Sequence, residues 1–132
     1  MKIIIPGNPK AQKRAEFRRM GKFVNTYDPS RPDKDVVKQF IALTCKQIEH
    51  IKPPIKFQLT AYMPIPGSLS LSKQNELKGK YHIKKPDSDN ILKFYKDTLE
   101  GIFYDNDSQI AVDISKKIYD NNPRTEIEIT TL

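Results

Sequence analysis

The chain has a single cysteine, Cys45, and two histidines among its 132 residues. One cysteine closes no internal disulfide. It falls inside an apolar helical pattern, so the reading is a reduced, buried thiol. No His/Cys spacing suggests zinc. The longest apolar runs, such as Ile3-Ile4-Ile5, are far too short to cross a membrane. The opening MKIIIPGNPK holds no apolar stretch of signal-peptide length. These absences lead to an expectation of a soluble cytoplasmic protein with no membrane partner. Repeats, long linkers and low-complexity tails are also missing, so residues 1–132 read as one domain.

Basic charge is plentiful. Lysine and arginine number 23 against 16 acids, a net charge of +7. An excess of that size suits a polyanionic partner, usually nucleic acid. It fits a merely basic surface equally well.

The patterning gives an α+β domain: a mixed, mostly antiparallel sheet with two helices packed on it. Residues 2–6 read as a short buried strand ended by proline. The segment GNPKAQKRAEFRRMGKFVNTYDP reads as two short strands around a Met20-Gly21 turn. Its Phe17, Phe23 and Tyr27 are read as packed residues of that hairpin, in preference to platforms for exposed bases. A helix capped by Ser30 or Asp33 runs to about His50, with Val37, Phe40, Ile41, Thr44, Ile48 and Ile51 on one face. Residues 55–65 alternate as a half-buried strand. Residues 66–83 read as a loop, the most mobile part of the chain, with room for one helical turn around Leu71–Leu77. A second helix starts near Asp87–Asn90 and ends near Gly101, with Ile91, Tyr95, Leu99 and Ile102 facing the core. Residues 109–118 alternate through Ile110, Val112, Ile114 and Ile118, and Ile127 and Ile129 belong to a last strand.

The chemistry concentrates in KKPDSDNILKFYKD, residues 84–97. Proline disfavours a helical residue before it, so the helix begins after Lys85. In an extended entry, residues two apart point the same way, and Asp87 and Asp89 can share one cation. Asp, Ser and Asn are also the residues that cap helices, so the cluster reads as caps too. Two aspartates exceed what a cap requires, and Asp105-Asn106-Asp107 follows one helix length later. Three carboxylates suit Mg²⁺, with Mn²⁺ as the alternative, because hard cations prefer oxygen ligands. Lys93 lies four residues after Asp89 on the same helix face. It serves there as a helix ion pair or as a cation that offsets charge at a phosphate. Together these parts fit metal-assisted phosphodiester hydrolysis. A non-catalytic nucleic-acid binder with a well-capped helix fits as well.

K-P-D-x-D-N-x-x-K at residues 85–93, followed by D-x-Q at 107–109, resembles the signature of the RusA-type Holliday junction resolvases, found often in phages and prophages. The opening GNPKAQKR resembles that family's basic G-x-P-x-x-x-x-R start. The strong similarity covers residues 84–110, and a weaker match covers 6–28. The resemblance implies metal-binding Asp87, Asp89 and Asp107 and a catalytic Lys93. It implies a homodimeric, Mg²⁺- or Mn²⁺-dependent endodeoxyribonuclease that nicks opposed strands of a four-way DNA junction in recombination and repair. Other nucleic-acid substrates are the alternative. Members often carry an acidic pair before x-Q; here Asn106 precedes Asp107, and the sequence leaves open whether Asp105 assists or replaces it.

The DNA-binding candidates are Lys10, Lys13, Arg14, Arg18, Lys84 and Lys85, and backbone contacts through them should be salt-sensitive. Lys73, Lys78 and Lys80 either join them or form a solvated face. His82 is read as a surface loop histidine, and His50, at a helix end, is given no function.

Overall fold

The computed structural model describes residues 1–132. The elements run β1 (Lys2–Pro6), β2 (Glu16–Met20), β3 (Phe23–Tyr27), α1 (Arg31–Thr44), β4 (Ile55–Pro64), α2 (Leu71–Leu77), α3 (Ser88–Leu99), a 3₁₀ turn (Asp107–Gln109), β5 (Ile110–Asp120) and β6 (Arg124–Thr131). The main sheet has the order β1-β6-β4-β5. β1 pairs with β6 and β6 with β4 antiparallel, while β4 and β5 are parallel. A parallel pair needs a crossover, and α2 and α3 supply it. The mixed, mostly antiparallel α+β architecture thus agrees with the sequence reading. No helix is long and apolar enough to cross a membrane.

One face of the sheet carries the core. Ile55, Phe57, Leu59, Ala61 and Met63 alternate inward along β4, joined by Ile127 and Ile129 of β6 and Ile3 and Ile5 of β1. α1 adds Val37 and Ile41, and α3 adds Ile91, Phe94, Tyr95 and Leu99. α3 ends at Leu99, and Gly101 follows with φ +82°, a conformation that glycine adopts without strain. The resulting turn drives Phe103 and Tyr104 into the core. The Tyr104 hydroxyl then donates back to the Lys96 carbonyl at 2.6 Å.

Four local expectations are corrected. α1 stops at Thr44, six residues short of His50, because Cys45 turns extended (φ −97°, ψ 103°). The chain then crosses to donate from the Ile51 N–H to the Phe103 carbonyl at 2.7 Å. Ile48 stays exposed, and Cys45 is a free, only half-buried thiol against the core.

The hairpin β2–β3 forms with its turn at Met20–Gly21, but it is a separate two-stranded sheet with every strand residue exposed. Phe17 is 74% and Phe23 76% exposed, so these aromatics are not packed residues. The hairpin is held by its own ladder and by the Tyr27 hydroxyl donating to Glu16.

Residues 66–83 hold the expected helical segment at Leu71–Leu77, but the rest is more ordered than a loop. α2 is capped by Ser70, whose side chain accepts from the Lys73 N–H. The strap after it runs along β5, with hydrogen bonds from Gly79 N–H to Tyr119 O, Tyr119 N–H to Lys80 O, and His82 N–H to Lys117 O.

The last correction concerns β5. Ile110 pairs with Ile55, but the next pair is Lys56 with Val112, so Ala111 is an extra residue in the strand. Such a bulge reverses which side chains face which side. Ile110 packs on the core, whereas Val112, Ile114 and Ile118 align with Lys56, Gln58 and Tyr62 on the outer face. The inward positions opposite Phe57, Leu59, Ala61 and Met63 are Asp113, Ser115, Lys117 and Tyr119.

Candidate active site

α3 begins with Asp87 at its N-cap in extended geometry (φ −67°, ψ 144°). Its carboxylate makes no capping hydrogen bond, which removes the main support for a cap-only role. Asp89 lies in the first turn, where negative charge is favoured, and accepts from the Asn90 N–H at 3.0 Å. One turn on, Lys93 stands on the same side as Asp89. Both line a cleft of about 280 Å³, closed by Leu92, Lys96, Asp97 and Asp107.

Asp107 reaches this cleft from the 3₁₀ turn leading into β5. The D-x-Q spacing has a local cause. The Gln109 side-chain oxygen Oε1 accepts from the Asp105 and Asn106 N–H groups at 3.1 and 3.4 Å, and the Asn106 side chain accepts from the Ser108 N–H at 2.8 Å. This reciprocal cap turns the chain so that Asp107 follows as the first residue of the turn. The Asp107 N–H is in turn held by the Glu100 carboxylate at 3.0 Å. Asp105 points elsewhere: its carboxylate meets the His50 ring at 3.0 Å on the exposed surface. Of the two acids in Asp105-Asn106-Asp107, the one in the cleft is therefore Asp107.

The neighbouring groove, about 590 Å³, contains Asp87 together with Lys10, Lys13, Asp33, Lys85 and Asn90. The N-terminal segment is strapped along α3 by the Gln12 N–H to the Asn90 carbonyl at 2.9 Å and the Lys10 N–H to the Tyr95 hydroxyl at 3.0 Å. The Lys13 N–H adds a bond to the Ser30 hydroxyl at 2.8 Å. Residues eighty positions apart thereby share one surface. Arg14 and Arg18 continue outward, exposed, towards the hairpin, and Lys84 is exposed on the strap. The structure thus brings Asp89, Lys93 and Asp107 to one cleft, and Asp87 to the basic groove beside it. A more apolar hollow of about 310 Å³ among Pro6, Val36, Phe40 and Tyr95 carries a lone acid, Asp33, and no comparable set.

Charge pairing separates two kinds of acid here. Asp97 lies 3.7 Å from Lys34, and Asp113 lies 2.9 Å from Lys96. Lys34 also pairs with Asp28 at 2.7 Å. Burial would raise the Asp28 carboxyl, but Lys34, the Ser30 N–H and Gln12 together hold it below its usual value. Asp87, Asp89, Asp107 and Lys93 belong to none of the ion pairs. Burial raises the Asp97 carboxyl above its ordinary value; Lys34 and Lys93 oppose this, while Asp107 and Glu100 add to it. The Tyr104 phenol is pushed up by burial first, then by Asp107, Glu100, Asp97 and Asp113 around it. An acidic field therefore surrounds the second half of α3. The sequence reading missed Glu100 and Asp113 as members of this field. No motif spacing marks either of them.

The free carboxylates offer only oxygen donors, which fits a hard divalent cation. No three acidic or imidazole side chains converge into a ready cage.

The family model described as "Endodeoxyribonuclease RusA" matches residues 6–130. A Bacillus subtilis (strain 168) protein, "Uncharacterized protein YqaN", is 33% identical over 136 residues, covering 98% of this chain and 94% of the relative.

Proposed function

This chain belongs to the RusA endodeoxyribonuclease family, and from that premise we propose that it resolves four-way DNA junctions by metal-dependent phosphodiester hydrolysis. It acts in recombination and repair, in the cytoplasm, as a homodimer whose two related sites match the approximate two-fold symmetry of the junction. The observation that carries the reading is one cleft lined by Asp89, Lys93 and Asp107, unpaired, beside a groove of Lys10, Lys13, Lys85 and Asp87.

Asp87, Asp89 and Asp107 would hold Mg²⁺ or Mn²⁺. Bound there, the ion would supply Lewis acidity towards the phosphate and an attacking water. The chain's own residues do the rest. Lys10, Lys13, Arg14, Arg18, Lys84 and Lys85 hold the DNA backbone and set its path. Lys93 brings an ammonium with no competing carboxylate partner to the charge that develops on the phosphate. The acids alone would repel a polyanion, so the bordering lysines are part of the site and not decoration around it.

The test is a labelled synthetic four-way junction with Mg²⁺ or Mn²⁺. The expected products are symmetric nicks with ligatable ends, in preference to cuts in flaps, duplex or RNA offered as competitors. Asp89→Asn should abolish cutting and leave junction binding intact. Wild-type protein that binds the junction but cuts it with no divalent ion overturns the reading.

A further inference from the structure

Lys117 occupies an inward position of β5, opposite Ala61, yet it belongs to none of the ion pairs. Its ammonium instead donates to two backbone carbonyls, Lys84 O at 2.6 Å and Pro86 O at 2.8 Å. Pro86 immediately precedes Asp87. The strap that leads there is tied to β5 by backbone hydrogen bonds only as far as His82. From Ile83 to Pro86 no backbone N–H or carbonyl is bonded to another backbone group. Ile83 is 89% exposed and contributes no anchor. The Lys117 ammonium is thus the tie between β5 and the last residues before the two aspartates.

We propose that Lys117 is a positioning residue of the active site: by bridging the Lys84 and Pro86 carbonyls it sets where Asp87 and Asp89 stand relative to Asp107. The proposal rests on the metal-dependent reading above. The same strand serves both halves of the site. Its first residue follows the turn that presents Asp107, and its eighth clamps the approach to Asp87 and Asp89. Hydrogen bonds from a charged donor are among the stronger ones a protein makes, so two of them fix a segment that no backbone hydrogen bond fixes. Groups that orient metal ligands are typically worth 10–100-fold in metal affinity or activity.

Lys117→Met and Lys117→Arg test this in the full-length chain. Mn²⁺ binding by electron paramagnetic resonance and the Mn²⁺ dependence of junction cutting are measured together. For Lys117→Met, both should require about 10–100-fold more metal. Metal-free junction affinity and its salt dependence should stay within about twofold, as expected for a side chain that touches no phosphate. Lys117→Arg keeps a charged donor and should recover part of the loss. A Lys117→Met protein with the wild-type metal requirement overturns the proposal, whatever its melting temperature. So does weaker metal-free junction binding with a shallower salt slope, which makes Lys117 a phosphate contact. Wild-type protein that binds Mn²⁺ but cuts no junction sinks the proposed function instead, and the Mn²⁺ titrations of the two variants still decide the role of Lys117.

Discussion

β4 and β5 lie side by side in parallel register, and their inward faces could hardly differ more. β4 turns Ile55, Phe57, Leu59, Ala61 and Met63 to the helices, all buried. β5, at the edge, turns Asp113, Ser115, Lys117 and Tyr119 the same way. Asp113 meets Lys96 of α3, Lys117 holds the strap, and Tyr119 packs its neighbour His82 with ring centroids 4.7 Å apart. The comparison teaches a division of labour. A central strand flanked on both edges can be spent on burial. An edge strand, with helix cover thinning out, can carry polar side chains that arrange the site.

Two substitutions sharpen or break that contrast directly. Phe57→Ala should lower the unfolding free energy by about 3–5 kcal/mol, the usual cost of emptying a packed aromatic site. Asp113→Asn, which removes a partly exposed ion pair, should cost under about 1 kcal/mol. Urea denaturation of both reads the difference, and equal losses would erase the distinction between the strands.

A smaller effect comes through pH. Burial, then Lys117 and Lys84, lower the pKa of His82 below its ordinary value. The native state therefore disfavours the charged imidazole. The stability linked to neutral His82 is present above about pH 6.5, the unfolded value, and is lost as pH falls through the lower folded value. The urea midpoint should drop between pH 7.5 and 5.5, and His82→Phe, which keeps a ring against Tyr119, should flatten that drop. An unchanged slope in the variant would remove His82 from the strap's anchoring.

The smallest effect belongs to the outer face. Val112→Thr should change stability by less than about 0.5 kcal/mol, as for other exposed positions. A larger loss that deepens on dilution would show that a second copy covers this face.

Much of this was legible in the residues. The alternation of β4, the proline-led start of α3 and the Met20–Gly21 turn are local properties, and each emerged where expected. The gathering of Asp89, Lys93 and Asp107 followed from a helix-then-strand return that spacing alone suggests. What escaped was decided between distant segments. Ile48 and Ile51 continue the period of α1, but a backbone bond from Ile51 to Phe103 takes the chain out of the helix. Val112, Ile114 and Ile118 alternate as a core strand would, and alternation cannot say which side is the core. Phe17 and Phe23 look like packing residues until it is seen that the hairpin meets nothing on either side. Lys117 looks like any surface lysine, because its partners are backbone atoms thirty-one and thirty-three positions earlier.

Ala111 carries no chemistry, yet its bulge sets the parity of everything after it. With the alanine bulged, the even-numbered hydrophobes after it go outside and the odd-numbered polar groups go in. Were Ala111 paired in line with Lys56 instead, the two sets would trade at a stroke, turning valine and isoleucine inward where the clamp belongs and Lys117 out to solvent. In this molecule a counting error of one would do more harm to the site than most changes of side chain.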